Sequence, residues 1–282
     1  MRQILYRVCL VFGLATLTAC QATQNFRTAP PPLSVASGAA LTVMSYNIRM
    51  GIGGRFKGGK LFDMPWGRNL DAVIAEIRAV DPDIVALQEV AGTSQAKTLG
   101  QALNLNYAYI GHETPRSTGS WWGVAILSKY PILESRGVEI SFGHGNQRSI
   151  IIATLDMAGS RATFLSVHKD KDLSDGRSIV EIMDAVEPIP GPVTLIGDFN
   201  FTPKKSNGRL EAITKRFVDT ATAVRTQGAR EAISWGTFVR SKRRIDYVFS
   251  DPTYFDVLDV GVTLPDKPAS DHRAYYAHLQ WK

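Results

Sequence analysis

The stretch VTLIGDFNFTP, residues 193–203, begins as an apolar, β-branched run and ends in polar groups. Val193 to Ile196 predict a buried strand. Gly197 is expected to turn the chain, and Asp198 and Asn200 then follow with one phenylalanine between them. A carboxylate and an amide are thus placed side by side where a strand leaves its core.

The same pattern recurs along the chain. LTVMSYNIRMG is an alternating strand that ends at Asn47, and DPDIVALQEV runs from a Pro-containing turn to Gln88 and Glu89. WGVAILSKYPI, RSIIIATLDM and RATFLSVHKD read as further strands, the last ending near His168. RRIDYVFSD carries Asp246 at its start, and Asp271 and His272 precede the final strand AYYAHLQW. Between them, NLDAVIAEIRAV sets Val73, Ile77 and Val80 on one helical face, and GRSIVEIMDAVEPI is helical too. Strands and helices mix without strict alternation, which favours an α/β sandwich of mixed sheets over a barrel or a doubly wound sheet. Polar groups repeated at strand ends predict a cleft at one edge of those sheets.

The flanks read differently. MRQILYRVCLVFGLATLTAC has a basic start, an apolar run from Val8 to Leu17 and small residues before Cys20, the pattern of a signal peptide. Leu17-Thr18-Ala19-Cys20 resembles a bacterial lipobox, which implies a lipid-modified Cys20 and a membrane anchor. Gln21 after the cysteine points to the outer membrane by the usual bacterial sorting pattern, and a plain signal peptide cut nearby is the alternative. Residues 21–40 are poor in charge, carry three consecutive prolines and read as a linker reaching roughly 60 Å if extended. Residues 41–282 show no second linker and no repeat, so one domain, expected as a monomer, is the simplest reading.

Cys9 and Cys20 are the only cysteines of the 282-residue chain, so residues 41–282 hold no disulfide, thiolate nucleophile or cysteine-based zinc site. HExxH and GxSxG are absent as well. GRFKGGKL, residues 54–61, has the G-x-x-x-x-G-K part of a P-loop, but Leu61 stands where Ser or Thr would bind a metal. It reads as a glycine-rich loop beside Asn47, either closing over substrate or simply solvated.

Formal net charge is +6, and Lys204 to Arg244 carries eleven Lys or Arg against three acids. That segment joins two of the polar tips, so it is either an anion-facing rim or a basic outer face with no partner. Lys242, Arg243 and Arg244 are its tightest cluster. Trp121, Trp122 and Trp235 are candidates for stacking on bases or lipid, with packing as the alternative.

SYNIRMG, LQEV, GVAILS, GDFN, RIDYVF and SDH stand in the order typical of the endonuclease/exonuclease/phosphatase superfamily, which the chain resembles over roughly residues 41–282. The resemblance implies a deoxyribonuclease-like, four-layer α/β sandwich, two packed mixed β-sheets flanked by helices. It also implies a metal-dependent phosphoester hydrolase. Asn47, Glu89 and Asp271 would be metal-site residues, with Glu89 the principal ligand. Asp198 would activate or orient water, Asn200 would help position it and the phosphate, and His272 would contact the phosphate with its tautomer set by Asp246. His168 matches the deoxyribonuclease and sphingomyelinase branches.

Residue types agree with that chemistry. A phosphodiester repels nucleophiles, so hydrolysis needs a cation on its oxygens, an aligned water and a stabilised leaving oxygen. Carboxylate and amide donors suit Mg²⁺ or Mn²⁺. Singly, each residue has a plainer reading. Glu89 is then a solvated turn residue, His168 is structural, Asp246 pairs with Arg244, and Asp271 with His272 caps a turn. The expected partner is a phosphoester substrate, nucleic acid or lipid head group. A nuclease-like phosphodiesterase ranks first. A phospholipid or sphingolipid phosphodiesterase, a small-molecule phosphatase and a catalytically inactive binding module are the alternatives.

Overall fold

A computed structural model describes residues 21–25, 38–53, 69–111, 122–143 and 148–282. The signal peptide, the glycine-rich loop at 54–61 and Trp121 lie outside the described residues. In chain order the strands are β1 (Gln21–Gln24), β2 (Ala40–Asn47), β3 (Ile84–Val90), β4 (Asn106–Gly111), β5 (Gly123–Ser128), β6 (Ile132–Ile140) and β7 (Arg148–Met157). They continue as β8 (Ser160–His168), β9 (Val193–Asp198), β10 (Val218–Asp219), β11 (Asp246–Ser250), β12 (Phe255–Val262) and β13 (Tyr275–Trp281). The helices are α1 (Leu70–Val80), α2 (Gly92–Leu103), α3 (Arg177–Val186), α4 (Arg209–Thr214), α5 (Thr220–Ala223) and α6 (Gln227–Trp235).

Two mixed sheets form, in the orders β1-β4-β5-β3-β2-β13-β12 and β10-β11-β9-β8-β7-β6. Their inner faces meet in one core, where Val43, Ile84, Ala86 and Ile126 face Ile151, Ala153, Phe164 and Ile196. The outer faces are covered by helices. Val73, Ile74, Ile77 and Leu99 pack on Met44, Val85 and Leu87, and Ile179, Ile182 and Ile213 pack on Ile152, Leu165 and Leu195. Sandwiched strands such as β3 and β9 are buried on both faces and therefore read as unbroken apolar runs. Each fully buried Leu, Ile or Val contributes about 1.5–3 kcal/mol.

Two parallel pairs decide where chemistry can sit. β2 pairs β3 in parallel, with α1 in the connection, and β8 pairs β9 in parallel, with α3 in the connection. Parallel neighbours end together, so the C-terminal tips of both pairs gather at one end of the sandwich. β11 runs antiparallel to β9 and begins at that end, which sets Asp246 opposite Asp198.

Two readings change. Gln21–Gln24, expected as linker, forms an edge strand paired with β4, Gln21 opposite Ile110. Gly197, expected to turn the chain, lies inside β9 opposite Val167, where a β-carbon would come within 2.0 Å of the Val167 carbonyl oxygen. The glycine is needed for close strand approach.

Candidate functional site

Asn47, Glu89, His168, Asp198, Asn200, Asp246, Asp271 and His272 converge at this end. All but Asn47 and Asp246 line one pocket of about 500 Å³. Asn47 bridges two of the lining carboxylates, and Asp246 sits behind His272.

Asp198 is at the centre. Its Oδ1 accepts the Asn200 backbone N–H at 2.9 Å, and its Oδ2 accepts Asn47 Nδ2 at 3.2 Å. His168 Nε2 and His272 Nε2 each stand 3.8 Å from that same Oδ2. Burial, then the neighbouring charge of Asp246, pushes the Asp198 carboxyl up to about 7.

His272 is oriented from behind. Its Nδ1 lies 2.9 Å from Asp246 Oδ2, which leaves Nε2 facing the pocket. Burial alone would lower its pKa, but the Asp246 charge and hydrogen bond, helped by Asp198, raise it to about 10. Thr237 Oγ1 holds the backbone of Asp246, accepting the N–H groups of Ile245 and Asp246 at 3.0 and 3.1 Å. Ser270 Oγ donates to the Asn47 carbonyl at 2.7 Å, tying the Asp271-His272 loop to the tip of β2.

Glu89 occupies a bulge in β3, where the register against β5 shifts between Gln88 and Val90. Its φ is +54°, a left-handed conformation costly for a non-glycine residue. A bulge re-aims a side chain, and this one turns Glu89 towards the pocket, its Oε1 accepting Asn47 Nδ2 at 3.2 Å. Burial raises its carboxyl above the usual range. Asp271 pairs with Arg49 at 3.5 Å.

These carboxylates suit a hard divalent cation, for which the half-buried Glu89 and Asp271 could serve as oxygen donors. Ligand atoms of Asp198, Asp246 and His272 also fall within 4.8 Å of one another. The short Asp246–His272 hydrogen bond assigns that trio to orienting an imidazole instead. Asn47 commits Nδ2 to two carboxylates, and its Oδ1 accepts the Arg49 N–H at 3.1 Å. In this arrangement it spaces Glu89 from Asp198. Asn200 commits Nδ2 to the Lys169 carbonyl at 2.9 Å, so its backbone N–H is the group that fixes Asp198.

Arg148 and Lys169 escaped the sequence reading, whereas Trp122, a stacking candidate there, packs against His168. Arg148 places its guanidinium 5.0 Å from the Trp122 ring centroid, and Trp122 meets His168 edge-on at 5.4 Å. Lys169 is fully buried and donates to the carbonyls of Asp170 and Leu173, both at 2.5 Å, pinning the loop after β8. Burial, then Arg209, lowers its pKa to about 8. Their side-chain types carry no spacing signal. Arg244, read with Lys242 and Arg243 as part of either an anion-facing rim or a basic outer face, is buried in a bidentate pair with Asp219 at 2.9 and 2.6 Å. Asp246, for which Arg244 was one possible partner, pairs with His272.

No curated protein matches the chain significantly. Among solved structures, an endonuclease/exonuclease/phosphatase family protein from Bacteroides thetaiotaomicron is 22% identical with a TM-score of 0.67, covering 88% of this chain and 100% of that one. A mannosyl-6-phosphatase from the same organism is 22% identical (TM-score 0.64), covering 85% of this chain and 99% of that one. D. rerio TDP2, complexed with a single-strand DNA product, is 17% identical (TM-score 0.64), covering 86% and 99%. The sequence profile of the Endonuclease/Exonuclease/phosphatase family matches residues 44–272, and the chain belongs to that family.

Proposed function

We propose that the protein is a phosphodiesterase that attacks phosphorus with water, dependent on Mg²⁺ or Mn²⁺ and nuclease-like in its substrate. Family membership supports phosphoester hydrolysis. The observation that carries the finer reading is the grouping of Asp198 with His168 and His272, each imidazole Nε2 3.8 Å from one carboxylate oxygen.

Asp198 is the proton acceptor for the attacking water, its carboxylate fixed from two sides by the Asn200 N–H and Asn47. His272 stays protonated at neutral pH and presents Nε2–H to a phosphoryl oxygen, where charge grows in the transition state. Asp246 holds that ring in place. His168 faces the same position from β8. Glu89 and Asp271, with Asn47 as spacer, would hold the cation, which when bound supplies Lewis-acid polarisation of the phosphoryl group.

The test is a panel of phosphodiesters and phosphomonoesters assayed with Mg²⁺, with Mn²⁺ and with excess chelator. Diester cleavage that requires the metal is expected. Equal cleavage in chelator, or hydrolysis of monoesters alone, would overturn the reading.

The envelope location is a separate proposal from the sequence. Cys20 would carry lipid and tether the domain to the outer membrane. Mass spectrometry of the mature N-terminus should find a lipid-modified cysteine, and an unmodified N-terminus further along the chain would reject it.

A further inference from the structure

A second cavity of about 750 Å³ opens beside the catalytic pocket. The two share Lys171, Asn200, Arg243 and Ile245 in their linings, so they form one continuous groove. Their linings differ in charge. The catalytic pocket mixes five carboxylates with four Lys or Arg and two histidines. The second cavity has seven basic residues and no acidic one in its lining.

Two of those cations are spent on structure. Arg244 is paired with Asp219, and Arg209 donates to the carbonyls of Ser206 and Lys205 at 2.6 and 2.9 Å. Lys171, Lys204, Lys205, Lys242 and Arg243 are exposed, and none of them forms an ion pair with a carboxylate among the described residues. Like charges so close raise the free energy of the folded chain unless an anion offsets them. The cavity also has an apolar side made by Phe201, Pro203, Ile233 and Ile245, with Ile233 50% exposed. Lysines beside apolar surface match a ligand that alternates anionic and flat apolar parts.

We propose that this basic cavity is a subsite for the next nucleotides of a single-stranded oligonucleotide whose scissile phosphate lies at Asp198. The inference rests on the phosphodiesterase reading and deepens it. Lys204, Lys205 and Lys242 take the neighbouring phosphates as point charges, and Ile233 with Pro203 lies against a base or sugar. Substrate is therefore selected by what extends beyond the bond being cleaved, and binding there is strongly salt-dependent.

The experiment compares a ten-nucleotide single-stranded DNA with bis(p-nitrophenyl) phosphate, a diester with no further phosphate. It uses wild type, Lys204→Glu/Lys205→Glu, Lys242→Glu and the charge control Lys215→Glu, whose residue is exposed and outside the cavity lining. The ratio of kcat/KM for DNA over the small diester should fall on the order of tenfold or more in the groove variants at low salt, and not in the control. Anisotropy of fluorescein-labelled DNA on the Asp198→Asn variant measures binding without turnover, and the same groove substitutions should weaken it. An unchanged ratio together with unchanged binding overturns the subsite. So does groove-dependent binding to vesicles of anionic phospholipid with none to DNA. If DNA binds through the groove while no diester is cleaved, the cavity stands as a DNA-binding site and the phosphodiesterase reading, with the scissile phosphate at Asp198, falls.

Discussion

Asp198 and Asp246 are register partners on β9 and β11, two carboxylates buried side by side in neighbouring strands. Two unscreened negative charges at that spacing would destabilise the fold. The structure places His272 against both, 2.9 Å from Asp246 and 3.8 Å from Asp198. Asp246 is committed to the imidazole, and Asp198, its pKa raised to about 7, keeps an oxygen directed to the pocket. Two like residues thus receive different work from their surroundings.

Asp198→Asn keeps the shape of this site and removes the carboxylate proposed as proton acceptor. The loss of a positioned acid–base group lowers rate by about 10²–10⁴, so kcat should fall at least that far at saturating metal. The melting temperature should not fall, because a buried charge facing Asp246 has gone. An Asp198→Asn enzyme with wild-type kcat would move the acceptor role to another residue.

Cation binding should be linked to protons. The carboxyls of Asp198 and Glu89 are both raised, chiefly by burial, and an approaching divalent cation favours their charged forms. Affinity should therefore weaken as pH falls below about 7, with proton release on binding. Titration calorimetry in two buffers of different ionisation enthalpy counts those protons. Glu89→Gln should raise the metal concentration for half-maximal activity, since a charged oxygen is lost. Affinity that does not vary with pH, or an unchanged metal requirement in Glu89→Gln, would remove Glu89 from the cation site.

The division between what was legible and what was not follows from range. β9 and β3 are buried on both faces, so their apolar runs stood out, and their polar tips stood out against them. α2 (GTSQAKTLGQAL) has few apolar residues, and in β12 (FDVLDVGV) Asp256, Asp259 and Gly261 interrupt the apolar run, so neither element is legible although β12 pairs with the next strand. The bulge that turns Glu89 depends on pairing with β5, more than thirty residues later. Arg244 appeared to belong with Lys242 and Arg243 because sequence gives adjacency, while only the fold brings Asp219 beneath it.

Asp246→Asn should act through His272. Folded His272 titrates at about 10 against 6.5 for a free imidazole, so its proton adds stability that is full below 6.5 and lost as pH rises through about 10. Without the Asp246 charge, burial dominates and the ring should titrate far lower. NMR of the His272 ring reads this directly, and kcat should drop at neutral pH as the imidazolium is lost. A ring that still titrates near 10 in Asp246→Asn would show that Asp198 and Asp271 suffice to hold the charge.

The Arg244–Asp219 pair should matter to folding and not to chemistry. Both side chains are almost wholly buried, joined by two hydrogen bonds, and the guanidinium lies 4.3 Å from the Tyr247 ring centroid. The pair ties Arg244, two residues before the strand that carries Asp246, to Asp219 of β10, which pairs with the far end of that same strand. Removing one partner strands a buried charge, which costs about 3–5 kcal/mol, so Asp219→Asn should lower the urea midpoint strongly. Replacing both by apolar residues, as in Arg244→Met/Asp219→Leu, should recover much of the loss, because neither charge is left uncompensated. In each variant kcat per folded molecule should stay within a few-fold of wild type on a small diester. A double variant as unstable as Asp219→Asn would show that the pair contributes through its geometry rather than its charge.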